Sequence, residues 1–382
     1  MNSNESNCLI IAGEKSGEDH AMTFFPELKK KLPNTNFFGV GADKLAKLDV
    51  ELLYHAKDFS SVGITEVLGK LRFYFKAMDH IVDEVKKRNC KTAILVDFQG
   101  FNLKLAKRLK KLGVNVLYYV APQAWVWKPW RAKTIEENVH TLFTILPFEK
   151  KWFEDRGVKK VKAVVHPLKV EYEKELTSIR VKKASDFKNR AVRLLLLPGS
   201  RNSEVESLLP VFLEGAKLLS DDGFNIELGI VKVETVKSIF YDQLENKSIQ
   251  VWESNQLIEA FDWADLCFAS SGTVTLATGL FQLPTVVAYK LSLVNEFLLK
   301  LLIPYKGPAS LTNIIHDKML FPEILQYEAD RYNLAKFAKK WLGNEELYNS
   351  VVCELAKTQN LLSGDDFSTA EYMAEVINET NG

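Results

Sequence analysis

The sequence is poor in cysteine, with four in 382 residues (8, 90, 267 and 353) and no CxxC spacing. That excludes a disulfide scaffold and a cysteine-based zinc site, and it reads as thiols kept reduced. Glycine and proline are sparse, at 19 and 12 residues, which excludes collagen-like and low-complexity chains. Charge of one sign is lacking, since 50 basic and 49 acidic side chains leave +1. No global field draws such a chain to nucleic acid or to an anionic membrane, so any basic site is local. The longest apolar stretch, residues 291–303, is broken by Ser292, Asn295, Glu296 and Lys300. It falls short of the ~20 apolar residues of a membrane span. The six histidines show neither paired metal spacing nor HExxH, so no metal and no cofactor is expected. Residues 1–7 carry no basic segment leading into an apolar run. No signal peptide is expected, and the chain is expected in the cytoplasm with any membrane contact peripheral.

What is present is an ordinary globular composition, 47% hydrophobic and 26% charged. At ~150 residues per domain the length allows two or three domains. Apolar runs at 8–12, 93–96, 116–120, 142–146, 161–165, 193–197, 226–231, 266–269 and 285–288 predict nine strands. Several run without alternation, as strands buried on both faces of a parallel sheet do. Helical patterns separate most of them, giving repeated βαβ units. Nine strands exceed one sheet of ordinary width. The expected fold is α/β, with two Rossmann-like doubly wound parallel-sheet domains facing each other across a cleft. The expected bounds are 1–170 for the first domain, 171–190 for a charged helix and linker, 191–350 for the second domain and 351–382 for a helical tail.

The first strand runs into Gly13-Glu14-Lys15-Ser16-Gly17-Glu18. A turn of this kind offers N–H groups to a phosphate or an acceptor, or is simply a tight connection. It matches neither the dinucleotide fingerprint nor a P-loop. Asp97 follows the strand at 93–96, either capping the next helix or serving as general base on a sugar hydroxyl. Residues 118–131 pack five aromatics, two prolines and two cations together. They suit stacking on a sugar or packing on lipid, with Lys128 and Arg131 placed for phosphate, or a rigid loop plugging the domain base. In the second half, Pro198-Gly199-Ser200-Arg201 and Ser270-Ser271-Gly272-Thr273 each follow a strand and open a helix. Two such turns on neighbouring strands favour a nucleotide-diphosphate pocket, with Arg201 as a bidentate clamp. His166 ends a strand at the domain junction, as a structural residue or a ligand contact. Residues 65–88 predict an amphipathic helix with Leu68, Leu71, Phe75, Met78, Val82 and Val85 inward. Phe73 is then expected outward among Lys70, Arg72 and Lys76 as a membrane contact.

Taken together, these segments resemble the lipid-A-disaccharide synthases, bacterial glycosyltransferases of the GT-B type. The matching motifs include Ala12-Gly-Glu-Lys-Ser-Gly17, Val96-Asp-Phe-Gln-Gly-Phe-Asn102, Tyr119-Val-Ala-Pro-Gln-Ala-Trp-Val-Trp127, Leu146-Pro-Phe-Glu149, Pro198-Gly-Ser-Arg201 and Pro322-Glu-Ile-Leu-Gln326. They occur in the family's order from about residue 8 to residue 330. The resemblance implies transfer of 2,3-diacylglucosamine from UDP to 2,3-diacylglucosamine 1-phosphate, with inversion and without a metal. The products would be the β-1,6 lipid A disaccharide 1-phosphate and UDP, formed at the inner face of the cytoplasmic membrane. It implies Asp97 as general base. It implies Gly199, Ser200, Arg201, Ser271, Gly272, Thr273, Asn313, Glu323 and Gln326 on the donor side. On the acceptor side it implies Gly13, Ser16, Gly17, Glu18, Gln123, Trp125, Trp127 and His166. It leaves monomer and homodimer both open, and no nucleic acid is expected. The sequence departs from the family pattern at Ala277, where an acidic residue suited to ribose hydroxyls is usual. Glu18 stands for aspartate and Val165 for glycine. The competing expectations are another UDP-sugar enzyme of this fold, or a weakened paralogue that binds lipid or nucleotide without turnover.

Overall fold

A computed structural model describes residues 6–59, 64–244, 248–290 and 307–381, with side chains from Lys70 onward in the helix Ile64–Lys87. The apolar run at 291–303 and the side chain of Leu68 lie outside the described residues. The chain divides into two compact units, Met1–Glu171 with Leu362–Gly382, and Tyr172–Leu361.

The first unit holds seven strands: β1 (Ser6–Ala12), β2 (Thr35–Gly41), β3 (Glu51–His55), β4 (Thr92–Val96), β5 (Asn115–Tyr119), β6 (Thr141–Thr144) and β7 (Val161–Ala163). Their order is β3-β2-β1-β4-β5-β6-β7, every pair parallel. Successive side chains serve opposite faces. Leu9, Ile11, Ala93 and Leu95 therefore join one core cluster, while Cys8, Ile10, Ile94 and Val96 join the other. This is why β1 and β4 read as unbroken apolar runs. The helix Thr369–Asn381 completes the second cluster with Met373, Ala374 and Ile377. A fully buried Met or Ile side chain contributes roughly 1.5–3 kcal/mol.

The second unit holds β8 (Val192–Leu197), β9 (Ile226–Lys232), β10 (Ile249–Glu253), β11 (Leu266–Ser270), β12 (Thr285–Tyr289) and β13 (Glu323–Leu325). The order is β10-β9-β8-β11-β12-β13, again all parallel. The segment 171–190 holds two 3-10 turns, Glu175–Ser178 and Ala184–Phe187. Lys182 between them is buried and donates to the carbonyls of Phe261 and Asp262. All nine expected strands are present, and β2, β3, β10 and β13 are added to them.

Strand order doubles back between β1 and β4, and again between β8 and β11. Connections leave opposite faces of the sheet at such a point, which opens a crevice at the carboxyl ends of the two strands. Each unit thus has one topologically defined place for a ligand.

The helix Ile64–Lys87 corrects one expectation. Phe73 is not outward. Its ring packs edge-on against Phe59 at 5.2 Å and Tyr54 at 5.9 Å. Ala77, Met78, Ile81, Val82 and Val85 continue that buried face. Leu71 and Phe75, expected in the core, are 37% and 52% exposed. The cause is the partner of this half of the helix. It meets an aromatic cluster from β3 and the short helix Ala56–Phe59, and Phe73 and Tyr74 are the residues that face it.

Candidate active site

In the first unit the register pairs Ala12 with Val96. Gly13 and Asp97 therefore leave adjacent strands side by side at the switch point. Gly13 has no room for a side chain, because a Cβ would lie 2.5 Å from the Phe98 ring. Asp97 and Phe98 both take left-handed backbone conformations, with φ of 46° and 42°. Each such residue costs ~1 kcal/mol or more and persists only where its surroundings impose it. The Asp97 N–H donates to the Tyr119 carbonyl at 2.8 Å. Its own carbonyl accepts from Asn102 Nδ2 and from the Tyr118 hydroxyl, both at 2.9 Å. Asn102 also donates to the Val96 carbonyl at 3.1 Å. Asn102 is fully buried, and its Oδ1 has no hydrogen-bond partner among the described residues.

In this frame the Asp97 carboxyl accepts the Phe98 N–H. The helix Gln99–Lys111 starts from Phe98 with no side-chain cap, so the capping alternative is not realised. Burial pushes the carboxyl up to about 6, nearby Glu14 adds to the rise, and the Phe98 N–H partly offsets it. A carboxyl poised there is charged at neutral pH and still basic enough to take a proton.

The remaining first-unit candidates divide. Gly17 is buried at the foot of the helix Lys15–Met22, and Ser16 is exposed on it. Glu18 turns away: its carboxylate accepts from the N–H groups of Ala42 at 2.8 Å and Leu45 at 2.9 Å. It holds the start of the short helix Asp43–Ala46. Gln123 is exposed. Trp125 donates through Nε1 to Glu149 at 3.1 Å and packs edge-on against Phe148. Sequence reasoning did not single out Glu149 as the partner that holds Trp125, although it ends one of the matching motifs. It is buried, accepts from the N–H groups of Ile145 and Leu146, and is pushed up by burial to about 7. The signal was available, because an acidic residue so close to a buried strand needs several donors. Trp127 carries Lys128 over its ring at 3.7 Å, with Arg131 at 5.2 Å. Arg131 in turn donates to Gln99, two residues beyond Asp97. His166 is buried; burial, and then His20, push it down to about 3. It is therefore neutral, and its Nδ1 accepts from the Leu168 N–H.

In the second unit Leu197 pairs with Ala269, so the two Gly-Ser turns emerge together. They line one cavity of about 370 Å³ with Leu197, Gly199, Ser200, Arg201, Ser271, Gly272 and Thr273 in its wall. Gly199 has φ +127°, and a Cβ there would meet Glu204 Oε2 at 2.4 Å. Two helices, Asn202–Asp221 and Thr273–Leu280, begin at the cavity without side-chain caps. Their first N–H groups suit an anion. Glu204 lies across this wall: Oε2 takes the Ser200 N–H at 2.9 Å, and Oε1 takes Arg201 Nη1 at 3.0 Å.

Asn313 and Glu323 do not line the cavity. Asn313 is fully buried and donates to Glu323 Oε1 at 2.7 Å. Glu323 accepts from the N–H groups of Ala309 and Ser310, and the Ala309 carbonyl accepts the Ser271 hydroxyl at 3.3 Å. The pair thus acts on the cavity through the loop that meets Ser271. Gln326 has a left-handed backbone, φ 58°. Ala277 is buried in its helix and offers no polar group to a ribose.

Comparison with known proteins agrees with this anatomy. Solved structures of the same fold include Medicago truncatula UGT71G1 complexed with UDP-glucose, with TM-score 0.58, 11% identity and 99% of each chain covered. Another is a UDP-GlcNAc 2-epimerase from Neisseria meningitidis, with TM-score 0.56, 10% identity, and coverage of 98% of this chain and 99% of that one. Curated relatives include lipid-A-disaccharide synthase 1 of Legionella pneumophila strain Paris, 32% identical with 99% of both chains covered. The lipid-A-disaccharide synthase of Myxococcus xanthus is 33% identical over 89% of each, and that of Nitrosococcus oceani 34% identical over 88% of this chain and 87% of its own. The family model for lipid-A-disaccharide synthetase matches residues 8–377. With its two parallel-sheet units, the chain belongs to the lipid-A-disaccharide synthase family of GT-B glycosyltransferases.

Proposed function

We propose that the chain transfers 2,3-diacylglucosamine from its UDP donor to the 6-hydroxyl of 2,3-diacylglucosamine 1-phosphate, with inversion at the anomeric carbon. The observation that carries this reading is Asp97, a strained, half-buried residue at a switch point whose carboxyl is lifted to about 6. Asp97 takes the hydroxyl proton as the acceptor oxygen attacks. The leaving diphosphate is met by Arg201 and by the N–H groups of the Gly199–Ser200 and Ser271–Thr273 turns. Asn313, Glu323 and Gln326 shape the donor side, the first two by holding the 309–310 loop. Domain roles follow: the first unit takes the acceptor and the second takes the UDP-sugar.

Among the described residues no helix is long and apolar enough to cross a membrane, yet both substrates are acylated. The membrane contact in this reading is peripheral, at the inner face of the cytoplasmic membrane. It uses exposed Leu71 and Phe75 with Arg72 and Lys76 beside them. Turnover of UDP-2,3-diacylglucosamine with 2,3-diacylglucosamine 1-phosphate tests the reading. Release of UDP with formation of a 1,6-linked disaccharide phosphate is expected. Release of UDP with no disaccharide would sink it.

A further inference from the structure

Arg131 is only 9% exposed, and buried guanidinium groups are nearly always paired with a carboxylate. This one is not. Its partners are the side-chain oxygen of Gln99 and the face of Trp127. Lys128 lies over the same ring, and neither cation has a carboxylate partner among the described residues. Burial lowers the pKa of Arg131; burial and then Arg131 itself lower that of Lys128. Like charges are thus held together around one indole, with the desolvation of the first uncompensated by an anion. Asp97 is not that anion, since no ion pair or hydrogen bond joins its carboxyl to Arg131 among the described residues.

We propose that Arg131 and Lys128, set around Trp127, form a binding site for a phosphate monoester, the 1-phosphate of the acceptor sugar. The dianion supplies the missing counter-charge. A planar guanidinium fork takes two phosphate oxygens and a flexible ammonium the third, while the indole holds the two cations beside one another. Gln99 bridges this site to the Asp97 turn. A sugar phosphate carries its phosphate and its reacting hydroxyl at separate ends of one ring, so it can meet both. The proposal rests on the acceptor assigned above.

The test titrates the full chain with soluble N-acetylglucosamine 1-phosphate and with N-acetylglucosamine, read by calorimetry, and with UDP as a control for the second unit. The phosphorylated sugar should bind at least about tenfold more tightly. Lys128→Gln and Arg131→Lys should each weaken it about 10- to 100-fold and leave UDP affinity unchanged. Equal affinity of the parent for the two sugars overturns the proposal. So does parent-like affinity in Lys128→Gln, a variant at a partly exposed position that decides the matter if Arg131→Lys fails to fold. A second arm uses vesicles containing phosphatidylglycerol. Variants that lose vesicle binding and keep sugar-phosphate binding would assign the cations to bilayer headgroups and overturn the proposal. If the phosphate preference and its loss in the variants hold while the lipid substrates give no turnover, the phosphate site stands and only the assigned acceptor falls.

Discussion

Asp97→Asn should make the enzyme both slower and more stable, and pH separates the two effects. Asparagine keeps the shape and can still accept the Phe98 N–H, but it cannot take a proton. Turnover should fall by ~10²–10⁴. The stability argument uses the same carboxyl. In the folded protein it titrates near pH 6, well above the ordinary aspartate value of 3.8. The folded protein therefore binds this proton more tightly than the unfolded chain does. That stabilisation is complete below the unfolded pKa and is lost as pH rises through the folded one. The folded and unfolded values lie about two pH units apart, and at ~1.4 kcal/mol per unit this gives about 3 kcal/mol, an upper value for a half-buried group. At pH 8 the wild type holds a charge there and the variant does not, so the variant should be more stable by up to ~3 kcal/mol. For a unit of this size that corresponds to roughly 6–12 °C in its melting transition. The advantage should shrink between pH 6 and pH 4 and vanish below. Calorimetric melts at several pH values, with circular dichroism to confirm the fold, measure it. A difference that stays constant across this range refutes the link between burial and basicity, and undiminished turnover refutes the catalytic role.

Four further outcomes are expected. Arg201→Lys should lose at least about tenfold in UDP affinity, because an ammonium lacks the fork, while melting stays close to wild type; equilibrium titration with UDP checks this. Glu204→Gln should raise UDP affinity about fivefold, since it removes ~1 kcal/mol of repulsion between its carboxylate and the diphosphate at solvent-like dielectric. An unchanged affinity would mean that Arg201 swings clear of Glu204 before the donor binds. Leu71→Ser with Phe75→Ser should weaken binding to anionic vesicles and leave stability almost unchanged. Phe73→Ala should do the reverse, destabilising by about 2–4 kcal/mol as an aromatic lost from a packed cluster.

The central strands were legible in the sequence because both of their faces are buried. Leu194 to Leu197 and Ile94 to Val96 have no polar alternation to obscure them. The added strands are edges or mixed sequences. β3 and β10 sit at sheet edges with polar residues interleaved, β13 is three residues long, and β2 carries two glycines. The turns at Gly13, Asp97, Gly199 and Ser271 were legible as strand-to-helix turns because an apolar strand ends there and a helix start follows. What the sequence did not disclose is how side chains were already spent. Glu18, Asn313 and Glu323 look like ligands by residue type, yet their polar atoms hold backbone N–H groups or one another. Phe73 failed for a related reason: a helix's buried face is set by its neighbour, and here the neighbour is aromatic.

The helix Thr369–Asn381 packs into the core that contains β1. Residues on either side of the second unit in the chain therefore share one hydrophobic cluster, while the second unit is continuous from Tyr172 to Leu361. During synthesis the second unit has its whole sequence outside the ribosome before the first unit can close. The first unit therefore finishes second, and one face of its sheet lacks part of its cover until residues 369–381 leave the exit tunnel. A chain stalled before residue 369 would thus leave Ile10, Phe24, Phe25 and their neighbours without Met373, Ala374 and Ile377, which complete their cluster.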